Sequence, residues 1–171
     1  MSEPYFGKYE EMKKWYYRLQ GDGRGKDNIF STHESHIEDY FRAFFTTCHH
    51  FKDWIIKSGV RKDIVESYIN QSKSLSICAD LCTYSKHAEI TRKPRASPDT
   101  RGNRQGFMIN PFGPEPSFVI FDLVIQSGGK TYDAFKLAEQ CIKEWDEFLN
   151  KNKLPIPTLI EEKIYQCFEK E

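Results

Sequence analysis

A chain of 171 residues is long enough for one domain with a hydrophobic core and short for two. Its 25 basic and 25 acidic side chains cancel, so no net field selects a polyanion, a membrane surface or an acidic partner, and any such preference must come from local clusters. No apolar run nears the roughly 18 residues that span a bilayer, and Met1 to Gln20 lacks the apolar centre of a signal peptide, so a cytoplasmic protein with no membrane partner is expected.

Pro4 suits a first turn, and Tyr5, Tyr9, Met12, Tyr16 and Leu19 recur at helical spacing, which predicts an amphipathic helix over 4–19. Gly21, Asp22, Gly23 and Gly25 predict its end and a loop to about Thr32. Ile37, Phe41, Phe44, Cys48, Phe51 and Ile55 then alternate steps of four and three, one stripe of a long helix over 33–57 that forms the spine of the fold. Ser58 and Gly59 close it. Ile64, Tyr68, Gln71, Leu75, Cys78 and Cys82 repeat the spacing in one further helix, with a kink expected over 70–74 where helix-indifferent polar residues cluster.

From Ile90 the pattern changes. Arg92, Lys93, Arg95, Arg101 and Arg104 stand against a single acid, Asp99, among Pro94, Pro98 and two glycines, and predict a basic loop over 91–106. Residues 107–109 and 118–126 read as strands, with 88–92 as a candidate third, and Pro111, Pro114 and Pro116 exclude regular structure between the first two. Gly128 and Gly129 make a turn towards Asp133, an N-cap for the helix whose stripe is Phe135, Ala138, Ile142, Trp145 and Leu149. Pro155 and Pro157 stop that helix, and Thr158 with Glu161 forms a capping box for a last one. The expected fold is α+β, mainly α, in a single domain over 1–171. It is an antiparallel helical bundle (4–90 and 133–151) with a basic loop and small antiparallel sheet (91–132) inserted before the fourth main helix, and a C-terminal helical arm (158–169).

Two polar groupings stand out. On the long helix Arg42, Thr46, His49 and Asp53 share a line beside the apolar stripe, either an active site in which Asp53 orients the His49 imidazole and Arg42 holds an anion, or an exposed helix face. His50 and Trp54 form a parallel pair one step around. On the next helix Asp80, Tyr84 and His87 share a line, and Lys86, His87 and Arg92 gather positive charge where the helix dipole is negative. Asp80 lies within an apolar run, Ile77 to Leu81, and a buried carboxylate there needs a partner, for which His49, His50 and Lys86 are the candidates.

The five cysteines, Cys48, Cys78, Cys82, Cys141 and Cys167, lack framework spacing and read as reduced core thiols. No compact Cys/His spacing appears, so no metal or other cofactor is expected. The basic loop reads either as a track for a phosphate backbone or as a solvated linker. No phosphate-cradling glycine motif and no serine nucleophile elbow is present.

The segments CHHFKDW (48–54) and ADLCTYSKHAEITR (79–92) resemble marked positions of small uncharacterised bacterial and phage proteins, which carry a His-x-x-Asp-Trp pattern followed by an Asp, a Lys-His pair and an Arg. More distantly, the chain is similar to HEPN domains, helical folds that often act as metal-independent endoribonucleases in toxin and defence systems. Their motif is an Arg, four to six residues, then a His. Arg42 and His49 match its loosest spacing, with Ala43 where the family places a polar residue. That resemblance implies RNA as partner, a homodimer that composes the site, His49 as general base on a ribose hydroxyl and Arg42 on the developing phosphorane charge, with Asp53 orienting the imidazole and Lys86, His87 and Arg92 gripping the backbone. The competing expectation is a non-catalytic interaction protein of a phage or mobile element, bound to a protein partner, in which His50, Trp54, Asp80 and Tyr84 form a buried structural network.

Overall fold

The alternating stripe of the spine folds as its spacing requires. In the computed structural model, which describes residues 3–24, 34–86, 93–109 and 118–158, α1 (Phe6–Arg24) and α2 (Glu34–Lys57) are followed by α3 (Lys62–Gln71) and α4 (Lys73–Lys86). Three strands, β1 (Arg101–Ile109), β2 (Phe118–Ser127) and β3 (Lys130–Asp133), precede α5 (Ala134–Lys151). The fold is therefore mainly helical with a small antiparallel sheet inserted before the last bundle helix, as the sequence pattern predicts. No helix among the described residues is long and apolar enough to cross a membrane.

Phe44, Cys48, Phe51 and Ile55 of the α2 stripe are buried, and α2 packs against both α1 and α4. Phe51 meets Trp145 of α5 edge-on, with ring centroids 5.3 Å apart, so aromatic packing ties the spine to the last helix. Tyrosines at the margin of this core satisfy their hydroxyls across elements. Tyr5 donates to the Pro155 carbonyl at 2.7 Å, Tyr9 to Asp146 Oδ1 at 2.7 Å, and Tyr68 to the Glu144 carbonyl at 2.8 Å. Each phenol thus brings apolar area to the core without leaving a buried donor unpaired.

Four boundaries differ from the sequence expectation. The first helix runs through Gly21 and Gly23 to Arg24 instead of ending at Leu19. The expected kink over 70–74 is a break into two helices: Ser72 is extended (φ −87°, ψ 124°), its Oγ accepts the Leu75 amide at 2.9 Å, and its hydroxyl donates to Glu144. A serine that caps the next helix and bonds a third gains more than one that continues its own. The second half of the basic loop, from Arg101, is strand, because it pairs in register with β2 from Arg101 opposite Gln126 to Ile109 opposite Phe118. The third strand is β3, a hairpin partner of β2 across Gly128 and Gly129, whose φ values of 59° and 69° supply the left-handed backbone such a turn needs. The candidate strand 88–92 lies outside the described set, as does the helix expected over 158–169 beyond its first residue.

Asp99, the lone acid of the basic segment, fastens that hairpin. It accepts the Gly128 and Gly129 amides at 2.8 and 3.0 Å, and the Ser97 side chain together with these amides holds its carboxyl down to about 2. Asp133 ends β3 and caps α5 by accepting the Lys136 amide at 2.9 Å.

Where β1 begins, the backbone passes close to α2. A Cβ on Gly102 would sit 2.8 Å from the far edge of the Phe41 ring. Gly102→Ala should therefore cost about 1 kcal/mol, the low end of overpacking, because the half-buried ring can swing aside. Urea denaturation of the variant checks this, and a neutral or stabilising result would mean that the strand and α2 are not held at this distance.

Candidate functional site

His49, Lys52, Asp53 and Ile56 face outward along α2, and the start of α3 (Lys62, Glu66), the middle of α4 (Ala79, Asp80, Thr83) and the segment Lys93 to Arg95 close around them. Together they line a cleft of about 540 Å³. The spine and its neighbour therefore present His49 and Asp80 to one cavity, as the two polar lines of the sequence suggested.

Asp80 finds its partners in backbone amides, a source that the sequence did not suggest. It is 4% exposed, and its carboxylate accepts three backbone amides: Arg95 at 2.7 Å, Ala96 at 2.7 Å and Ser97 at 3.1 Å. Consecutive amides in a tight segment form a ready concavity for an anion, and here a side chain fills it. The segment from Arg95 to Ser97 is thereby pinned to α4.

That anchoring aims Arg95 across the cleft. Its guanidinium donates to Glu66 Oε2 at 2.6 Å and to Asn70 Oδ1 at 2.7 Å, while Lys52 Nζ donates to Glu66 Oε1 at 3.0 Å and to Asp53 Oδ1 at 3.1 Å. Glu66 thus bridges two cations, one oxygen each. Burial opposes both the Glu66 and the Lys52 charge, yet the hydrogen bonds outweigh it, so Glu66 is held below the usual glutamate range and Lys52 above the usual lysine value. Lys62 and Lys93 stand exposed at the rim.

His49 is half-buried on the cleft wall. Burial first, then the charges of Lys52 and Arg95 and the nearby His50, push its imidazole down to about 4 against a weaker opposing pull from Asp53. It is uncharged near neutral pH. Its ring centroid lies 6.1 Å from that of His50.

The other predicted positions distribute unevenly. Asp53 lines the cleft but is engaged by the Lys52 ammonium next to it, and among the described residues no hydrogen bond joins it to His49. Arg42 is exposed on α2 and is not part of the cleft wall. Trp54 is 37% exposed, with Lys57 Nζ 4.9 Å from its ring centroid, and Tyr84 is 52% exposed, so neither is sealed in a network with Asp80. Lys86 closes α4; its side chain, and all of His87 and Arg92, lie outside the described residues.

Residues that sequence reasoning missed carry much of this site. No spacing or motif in the sequence marks Lys52, Lys62 or Glu66, and Arg95 reads there as one cation of a basic loop. The available signal was Asp80 itself: a carboxylate in an apolar run implied that some donor-rich segment must cover it. Comparison with protein-family models, with curated proteins and with solved structures produced no match in any of the three.

Proposed function

We propose that this cleft binds the phosphodiester backbone of RNA and that the protein is a cytoplasmic HEPN-like RNA-binding domain of a defence or toxin system, with metal-independent endoribonuclease activity. The observation that supports it is an imidazole, His49, facing a cleft walled by Lys52 and Arg95 and rimmed by Lys62 and Lys93. Phosphate oxygens suit these donors, and Glu66 holds Lys52 and Arg95 in place before a ligand arrives, which lowers the entropy lost on binding. His49 would take the proton of a ribose 2′-hydroxyl and Arg95 would stabilise the phosphorane charge, so positioning and electrostatics supply the rate. Arg42, exposed and outside its own cleft, is available to the cleft of a second chain in the homodimer that the HEPN resemblance implies. A reducing cytoplasm suits the four described cysteines, all of them buried.

The test is anisotropy of a labelled single-stranded RNA across a salt series. Each lysine that contacts a phosphate contributes about 0.7 to the slope of log affinity against log salt, so Lys62→Ala with Lys93→Ala should flatten that slope by about 1.4. Absence of binding at low salt, or a slope unchanged by the double substitution, rejects the proposal.

A second reading has its own support. Trp54, Ile64 and Tyr84 are large apolar side chains left exposed, each within two residues of a cleft-lining position, and such residues suit a protein partner. Under it the chain is a non-catalytic interaction protein of a phage or mobile element. Trp54→Ala and Tyr84→Ala would then weaken partner binding while leaving RNA affinity unchanged.

A further inference from the structure

Three thiols from three helices meet in the core. Cys48 of α2, Cys78 of α4 and Cys141 of α5 are each no more than 1% exposed, and their sulfurs all lie within 4.8 Å of one another. They are separated by 30 and 63 positions in the chain, so nothing in their spacing announces them. We propose that this trio is a binding site for one soft, thiophilic metal ion, monovalent copper, held by three sulfurs.

The geometry is near what such an ion requires. With metal–sulfur bonds of about 2.3 Å, three ligating sulfurs stand about 4 Å apart, which small side-chain rotations reach from the present arrangement. The donor set selects the metal. Sulfur alone, with no carboxylate or imidazole in the group, excludes hard cations and favours copper(I) or zinc. Zinc sites close with a fourth ligand, and among the described residues the group contains three.

A second observation points at the same place. Trp145 is 1% exposed and wedged edge-on between Phe51 and Phe148, and its indole Nε1–H is buried with no hydrogen-bond partner. That donor lies beside the Cys48 sulfur. A buried indole N–H facing a metal-bound thiolate would gain the acceptor it now lacks.

Two of the sulfurs hold their protons towards the backbone around the group: the Cys78 S–H donates to the Phe45 carbonyl at 3.3 Å and the Cys141 S–H to the Ser74 carbonyl at 3.5 Å. Ligation replaces those protons by the metal ion, and the protons pass to solvent.

Because the site is sealed, the full chain is loaded by refolding it anaerobically with copper(I), then challenged with a chromophoric copper(I) chelator. The expected result is one ion retained per chain, near-ultraviolet sulfur-to-copper absorption, and X-ray absorption showing three sulfur ligands and no lighter donor. Cys48→Ala and Cys141→Ala should abolish retention. Cys82→Ala, which removes an equally buried thiol one turn from Cys78, should preserve it, and Trp145→Phe should weaken it by about tenfold. Should the cysteine variants fail to fold, the wild-type coordination spectrum decides alone. No retained copper in the wild type, retention with a nitrogen or oxygen donor, retention lost on Cys82→Ala, or tighter retention of zinc than of copper overturns the proposal.

Discussion

Asp80→Ala is expected to destabilise the protein by about 3 kcal/mol, an unusually large effect for a single polar residue. The carboxylate is buried and accepts three backbone amides from Arg95, Ala96 and Ser97. Each charge-assisted bond of this kind is worth about 1.5–3 kcal/mol, but losses within one cluster do not add, since the freed segment can lift away and let water reach its amides. The consequence is local as well as global. Without its anchor the 93–97 segment no longer aims Arg95 at Glu66, so the cleft loses one wall. Urea denaturation gives the energy and hydrogen exchange gives the location: the amides of residues 95–97 should lose protection first and most. A loss below about 1 kcal/mol with those amides still protected would show that Asp80 is not the fastener. Asp80→Asn, which keeps one acceptor oxygen and no charge, should fall between the two.

His49→Ala should lower the rate of RNA cleavage by about 10²- to 10⁴-fold, the range a positioned general base supplies. Its folding cost should be small. The ring is half-buried on the cleft wall, and no hydrogen bond is formed by it among the described residues, so its removal orphans no partner. Cleavage measured with a strong chelator present separates this chemistry from contaminating metal-dependent nucleases. RNA binding should persist in the variant, because the cations of the cleft and rim are intact. Wild-type protein that binds RNA without cutting it would leave the cleft as a binding site and remove the catalytic role. A fall in the unfolding midpoint as large as that of Asp80→Ala would assign His49 to structure.

Both predictions concern residues that the sequence marked, but for reasons the structure redistributes. The polar line on α2 was legible because helical spacing fixes which side chains share a face, and His49 and Asp53 do line the same cleft. Spacing could not say how far the cleft extends along the helix. Arg42, two turns before His49 on the same line, lies outside it, and its expected place beside the imidazole is filled by Arg95, 46 positions after His49 in the chain. Asp53 was expected to orient His49, yet Lys52 competes for it from the adjacent position. Neighbouring charges on one helix are visible in sequence; which of two partners a carboxylate takes depends on what approaches from the facing helix, and Glu66 draws Lys52 towards the cleft.

The sequence by itself determined the helical spine, the last bundle helix and the insertion of strands between them, because burying an apolar stripe is a local periodic requirement that any packing must meet. Tertiary structure alone decided the break at Ser72, the extension of β1 back to Arg101, the amides that clasp Asp80 and the convergence of Cys48, Cys78 and Cys141. Each of those depends on a group far away in the chain coming within about 3–5 Å, and hydrogen bonds and thiol contacts at that range have no period for a sequence to display.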